Sequence, residues 1–162
     1  MDTTSSVYEE AAEQYGSALE RLARAYEADA EARRDLLQDI HLQLWRSFEK
    51  FDERCSLRTW VYRVAHNVAT GHVVRQRKIR ERLVSIEEFE NLPGEVAGRA
   101  EDLDCLFQLI QRLKPLDRQI IVCYLEGMDA AATGEITGLS PANVAMKIHR
   151  IKKVLKRWFH EV

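Results

Sequence analysis

Much is excluded by what this sequence has little of. Its three cysteines, Cys55, Cys105 and Cys123, are odd in number, widely spaced and without a CxxC pair. Neither a disulfide framework nor a zinc knuckle follows from them, and reduced, mostly buried thiols are expected. No apolar run approaches the ~20 residues of a membrane-spanning helix, so no membrane insertion is expected. The N-terminus, MDTTSSVYEE, has neither a basic stretch nor an apolar one, which argues against export and for a cytoplasmic protein. The histidines (His41, His66, His72, His149, His160) form no HExxH pair, and GxSxG, Walker and GxGxxG signatures are missing; no enzymatic activity, cofactor or metal site is expected. There is also no β-alternation long enough for a strand, no internal repeat and no low-complexity tract. An all-α fold is the expectation.

What is present is ordinary in amount and unusual in placement. Hydrophobic residues make up 46% and charged residues 31%, as in a soluble packed protein. The net charge of −2 conceals segregation. Acids predominate from Glu9 to Asp52. Arg54, Arg58, Arg63, Arg75, Arg77, Lys78, Arg80 and Arg82 then meet little acidic opposition. Glu87 to Asp104 turns acidic again, and the last helical stretch is basic. Two basic blocks separated by an acidic one suggest two contact surfaces for a polyanion.

Helical periodicity covers most of the chain. After a polar, frayed Met1–Ser6, the segment Val7–Tyr26 places Tyr15, Leu19, Leu22 and Tyr26 on one face, despite Gly16. EADAEARR reads as a short break, although its good helix formers also allow continuation. In DLLQDIHLQLWRSFEKFD, Leu36, Ile40, Leu44 and Phe48 form one stripe, with Leu37, His41 and Trp45 beside it. Such a wide apolar surface suits either a helix packed on two sides or one with a partner-binding face. A turn over Asp52–Cys55 precedes Ser56, a candidate N-cap for SLRTWVYRVAHNVATGHVVRQRKIRERL. Trp60, Val61, Val64, Ala65, Val68 and Val73 are its expected buried stripe. Arg58, Tyr62, Arg63, His66, Asn67, Thr70 and His72 form the other face, leading into Arg75, Gln76, Arg77 and Lys78. That mixture either meets water or stacks on unpaired bases and binds phosphates.

VSIEEFENLPGEVAGRA loses helical regularity and holds Pro93-Gly94 and Gly98, so it reads as a linker. Two more helices follow, one carrying Leu103, Leu106, Phe107, Ile110 and Leu113, the other running from Leu116 to Glu126 and stopped by Gly127. The final stretch has the grammar of a helix-turn-helix. A short helix from Asp129 to Thr137 ends at Gly138-Leu139, Ser140 stands at an N-cap, and Pro141 takes the first helical position. Val144, Ile148, Ile151, Val154, Leu155 and Trp158 then recur at helical spacing beside Lys147, Arg150, Lys152, Lys153, Lys156 and Arg157. A basic face of this kind either is merely solvated or binds DNA.

These pieces, in this order, resemble the extracytoplasmic-function (ECF) class of bacterial RNA polymerase sigma factors. DLLQDIHLQLW resembles a region 2 helix of that family, commonly DLVQEVFLRLW, and SLRTWVYRVAHNVA resembles the next, commonly FRTWLYRIARNLA. LIQRLKPLDRQIIVCYLEGM, followed by GEITGLSPANVAMKIHRIKKVL, resembles region 4. The resemblance implies two small helical domains, a region 2 bundle over residues 1–83 and a region 4 helix-turn-helix domain over 102–162, joined by a linker at 84–101. It also implies a subunit that binds core RNA polymerase and directs promoter recognition and transcription initiation.

Carried over by motif, Asp35, Gln38, Asp39, Leu42 and Trp45 would contact the β′ coiled coil of the polymerase. Arg58, Tyr62, Arg63, Asn67, His72, Arg75, Arg77 and Lys78 would engage the −10 element and its melted strand, with Trp60 as packing beneath them. Ser140, Asn143, Ala145, Met146, Lys147, His149, Arg150 and Lys153 would meet the −35 duplex, in a domain that also touches the β flap. An anti-sigma factor is a further implied partner. The chain departs from the family where Glu-Ile-Ala becomes Ala132-Thr133-Gly134, placing glycine in a helix at a cost of about 1 kcal/mol relative to alanine. Lys-Ser-Arg becomes Ala145-Met146-Lys147, so no bidentate guanine contact can come from position 145. Rival readings are a helix-turn-helix repressor, which leaves Trp60–Lys78 unexplained, and a sigma-like protein that binds DNA or polymerase without directing initiation.

Overall fold

Capping chemistry sets most helix boundaries in the computed structural model, which describes residues 2–76, 82–91 and 103–159. Helix α1, Thr3–Tyr26, begins earlier than the frayed start expected, with Ser5 and Ser6 N–H groups donating to the Asp2 carbonyl. The break anticipated after Tyr26 is only three residues long. Asp29 closes it, its carboxylate accepting the Ala32 N–H at 2.8 Å as the N-cap of α2, Ala30–Ser47. A 3₁₀ turn, Phe48–Lys50, follows. The chain then reverses through Glu53, which adopts a left-handed φ of 61°, and an Asp52 side chain that accepts the Arg54 N–H. Ser56 Oγ accepts the Thr59 N–H at the start of α3, Leu57–Gln76.

The chain forms two compact units, residues 1–77 and 78–162. In the first unit α1, α2 and α3 all pack on one another. Leu19, Leu22, Leu36, Ile40, Leu44, Val61, Tyr62 and Ala65 form the closed interior. The buried side of α3 is not the one hydropathy suggests. Trp60, Val64, Val68 and Val73 are only partly covered, while Thr59, Tyr62, His66, Ala69 and His72 lie inside with Val61 and Ala65. Polar side chains can take core positions when their polar atoms are satisfied there. Tyr26 Oη meets His66 Nδ1 at 2.9 Å, and His72 Nε2 meets Glu27 Oε2 at 2.8 Å.

The second unit corrects the linker reading at its start. Residues 86–91, expected to be part of a linker, form a short helix α4, Ile86–Asn91, whose Ile86 and Phe89 are fully buried; residues 92–101 of that segment lie outside the described residues. Val84 is joined to the end of the next helix by two backbone bonds, its N–H to the Arg112 carbonyl (2.9 Å) and its carbonyl from the Lys114 N–H (2.8 Å). Phe89 packs edge-on against Trp158, with the Arg112 guanidinium on its ring.

Helices α5 (Leu103–Arg112), α6 (Pro115–Leu125), α7 (Ala130–Thr137) and α8 (Pro141–Phe159) complete this unit. Ile110, Leu113, Ile120, Ile121, Val144 and Ile151 are buried in its core, whereas Leu103, an expected core position, is exposed. Arg118 is almost wholly enclosed. Its guanidinium donates to the Leu113 and Gln111 carbonyls, satisfying the end of α5. The helix-turn-helix forms as its caps dictate. Asp129 accepts the Ala132 N–H, Gly138 takes a left-handed φ of 81°, and Ser140 Oγ accepts the Asn143 N–H. Gly134 is no simple liability: a Cβ there would lie 2.6 Å from the Leu139 carbonyl oxygen. The turn approaches the helix so closely that alanine's better helix propensity cannot be used.

Candidate polymerase and nucleic-acid interfaces

On α2 the sequence-derived site residues come together. Because Leu36, Ile40 and Leu44 turn inward at i, i+4 and i+8, the opposite ridge carries Asp35, Gln38, Asp39, Leu42 and Trp45, all exposed. Leu42 and Trp45 are 44% and 45% exposed, which leaves a tryptophan and a leucine on the surface beside two carboxylates. The stripe that ran Leu37–His41–Trp45 splits physically. His41 Nδ1 bonds the Tyr8 hydroxyl at 3.0 Å and its ring packs edge-on against Tyr8, so it belongs to the α1 contact. Trp45 belongs to the open face.

On α3 the eight residues assigned to the −10 contact fall into three groups. Asn67 and Arg75 are exposed, and Arg58 and Arg63 are partly exposed. Arg63, Asn67 and Thr70 share a ridge that continues to Val74, 65% exposed, at i, i+4, i+7 and i+11. Tyr62 and His72 are corrections. Tyr62 is 2% exposed, edge-on to Tyr15 and with the Arg58 guanidinium on its ring, so it packs rather than stacks on bases. His72 is 7% exposed and held by Glu27. His66, also read as facing outward, is fully enclosed. Arg77 and Lys78 lie outside the described residues. Trp60 is half-buried, tilted on Phe51 with its Nε1–H donating to Ser47 Oγ, consistent with packing at the edge of this ridge.

Burial pushes the His66 imidazole down to about 3, so it stays neutral in its bond with the Tyr26 hydroxyl. Its pKa is lower folded than unfolded, so the unfolded chain binds more protons and stability falls with pH below ~6.5. Between pH 6.5 and 5 this one group should cost the first unit roughly 1–2 kcal/mol in total, the slope steepening as the unfolded histidine becomes fully protonated. Amide-exchange protection of α3 measured across that range should show the slope, and His66→Gln should flatten it. An equal slope in the variant would assign it elsewhere.

On α8 every described residue of the −35 group is located, but they are not equivalent. Ser140, Asn143, Ala145, Met146, His149 and Lys153 are exposed, Met146 at 60%. Lys147, expected on phosphate, is instead drawn inward. Its ammonium lies 2.8 Å from Glu87 and 3.0 Å from Asp117, itself buried in α6. Asp117 also accepts the Ile86 N–H, so one carboxylate fixes both α4 and Lys147. Partial burial works against both charges of the Lys147–Glu87 pair. The hydrogen bonds and attractions between them, with Asp117 adding to those on Lys147, outweigh it, raising Lys147 above its usual pKa and lowering Glu87. Glu87 also faces Arg150 at 3.7 Å, and Glu90 faces Arg150 at 3.9 Å and Lys153 at 4.0 Å. Glu90 thereby lines the same shallow concavity as Ala145, Met146, His149, Arg150 and Lys153. Sequence reasoning missed Glu87, Glu90 and Asp117. The available signal was Ile86 and Phe89 three apart among acids, on a stretch set aside for its breakers.

Residues 11–79 match the family model described as Sigma-70 region 2, and residues 103–155 match that described as Sigma-70, region 4. The chain is 25% identical over 132 residues to the ECF RNA polymerase sigma factor SigX of Bacillus subtilis (strain 168), an alignment spanning 76% of this chain and 68% of SigX. It is 27% identical over 158 residues to the RNA polymerase sigma factor CnrH of Cupriavidus metallidurans, covering 87% and 80% of the two. The solved structure of CnrH in complex with the cytosolic domain of CnrY shares the fold, with a TM-score of 0.64 at 19% identity over 92% of this chain and 84% of that one.

Proposed function

The chain belongs to the extracytoplasmic-function class of sigma-70 RNA polymerase sigma factors, which direct transcription initiation, and we propose how its parts divide that work. The exposed α2 ridge Asp35–Gln38–Asp39–Leu42–Trp45 docks core polymerase on the β′ coiled coil. The α3 ridge, with Arg58, Arg63, Asn67 and Arg75, engages the −10 element and its melted strand. Region 4, here extended at its N-terminal side by α4, presents Ser140, Asn143, Ala145, Met146, His149, Arg150 and Lys153 to the −35 duplex and touches the β flap. The observation that carries the reading is the coexistence of an acid-flanked, exposed Trp45 on α2 with a fully capped helix-turn-helix. A repressor needs only the second.

Ala145 and Met146 offer methyl and thioether surface and no hydrogen bond, so they suit thymine methyls better than guanine edges. An anti-sigma partner is part of the same proposal, supported by the likeness to CnrH, which has been solved in complex with the cytosolic domain of CnrY. Transcription with purified core polymerase on genomic fragments should give discrete starts that depend on this chain; tight duplex binding without any start would favour the repressor. In the same assay Asn67→Ala should slow open-complex formation, followed by permanganate reactivity, roughly tenfold while core binding stays within about twofold. Equal losses in both would remove Asn67 from strand capture.

A further inference from the structure

We infer that α4 is a built-in competitor for DNA, with Glu87 and Glu90 holding the cations of α8 that phosphates would otherwise take. The inference rests on the reading of α8 as the duplex-facing helix. Of the cations from Lys147 to Arg157, four lie against α4. Lys147 and Arg150 face Glu87, Arg150 and Lys153 face Glu90, and the Arg157 guanidinium donates to the Phe89 and Glu90 carbonyls at 2.7 and 2.6 Å.

Two kinds of contact divide the labour. Ile86 and Phe89, fully buried, the Val84 backbone bonds and the Asp117 bond to the Ile86 N–H seat the helix. The carboxylates then sit beside α8 at the high effective concentration of an intramolecular ligand. Their pairs with Arg150 and Lys153 are weak and partly solvated: Glu87 and Glu90 side chains are 37% and 30% exposed, and these separations approach 4 Å. Pairs of that kind are readily exchanged for other anions. The arrangement therefore sets affinity and does not block the site: α4 stays seated, while Glu87 and Glu90 yield to a phosphate only where enough other contacts accompany it. Sequence-independent binding, which depends almost wholly on phosphate neutralisation, suffers most. The consequence is a free subunit that lingers less on random duplex.

The third acid on this helix supplies the control. Glu88 faces Lys114 at 3.6 Å and Arg82 at 3.5 Å, not α8. Binding of the full chain to a short fluorescein-labelled mixed-sequence duplex at low salt would be followed by anisotropy. Glu87→Gln/Glu90→Gln should tighten binding roughly three- to tenfold, and Glu90→Gln alone about twofold, whereas Glu88→Gln, with the same loss of charge on the same helix, should stay near the parent. Glu90→Gln leaves the Lys147 cluster intact, so it reports even where the double variant is misfolded. If the Gln variants at 87 and 90 bind no better than Glu88→Gln while the parent binds, the competitor is wrong and the α8 reading stands. If no form binds duplex DNA even at low salt, both fall.

Discussion

Replacing Trp45 and Leu42 with alanine is expected to weaken binding to core RNA polymerase by about a hundredfold, with Trp45→Ala alone giving at least about tenfold. Both side chains are nearly half exposed in the free chain and contribute little to its core. Buried on docking, a tryptophan and a leucine that end a ridge begun by two carboxylates have the composition of an interface hot spot, where truncation costs about 2 kcal/mol or more. The rim acids Asp35 and Asp39 should act differently. Asn at either position should slow association and flatten its salt dependence more than it speeds dissociation. The melting temperature of the double alanine variant should match the parent's, since the inward ridge Leu36–Ile40–Leu44 is untouched. A pull-down or titration showing less than about threefold loss would move the polymerase contact off α2.

Phe89→Ala is expected to be the most destabilising single change in the segment between the matched regions, costing about 3–5 kcal/mol in the second unit. The ring is wholly enclosed, edge-on to Trp158 at 5.3 Å between centroids, with the Arg112 guanidinium 4.9 Å from its centre. Its removal leaves a cavity that α4 and the last turns of α8 cannot both close. A linker residue would behave otherwise, since exposed substitutions away from special features stay within about 0.5 kcal/mol. Denaturant unfolding followed at Trp158, with Trp45 and Trp60 replaced by phenylalanine, isolates the second unit. A midpoint unchanged from that background would return α4 to the linker.

How far the sequence could be read follows from how local each determinant is. The helix-turn-helix was fully legible because its signals are the side chains that make its bonds: Asp129, Gly138, Ser140 and Pro141 each act within three or four residues. The α2 face was legible as a surplus of apolar surface, though only exposure could decide between an interior contact and an open one. The interior of α3 was not legible. His66 and His72 look polar until Tyr26 and Glu27, some forty residues away, supply their partners, and Tyr62 does so until the Tyr15 ring meets it. Valines at 64 and 68 looked more buried than they are, because hydropathy ranks residues without knowing those partners. The cations of α8 were misjudged for the same reason: Glu87 is sixty residues from Lys147. Pro93 and Gly94 drew the whole stretch into the linker reading, and α4 is too short to show a period against them.

The bonds from Tyr26 and Glu27 also have a mechanical consequence. They are neighbours in the chain, and they grip α3 at His66 and His72, almost two turns apart. A helix held by one polar contact can roll about its axis as its apolar neighbours slide. One held at two such points is keyed like a shaft. A roll of one residue, about 100°, would break both bonds. The azimuth of Asn67, which sits beside His66 in the chain and points the other way, is thus machined by residues that never meet the strand it is proposed to hold.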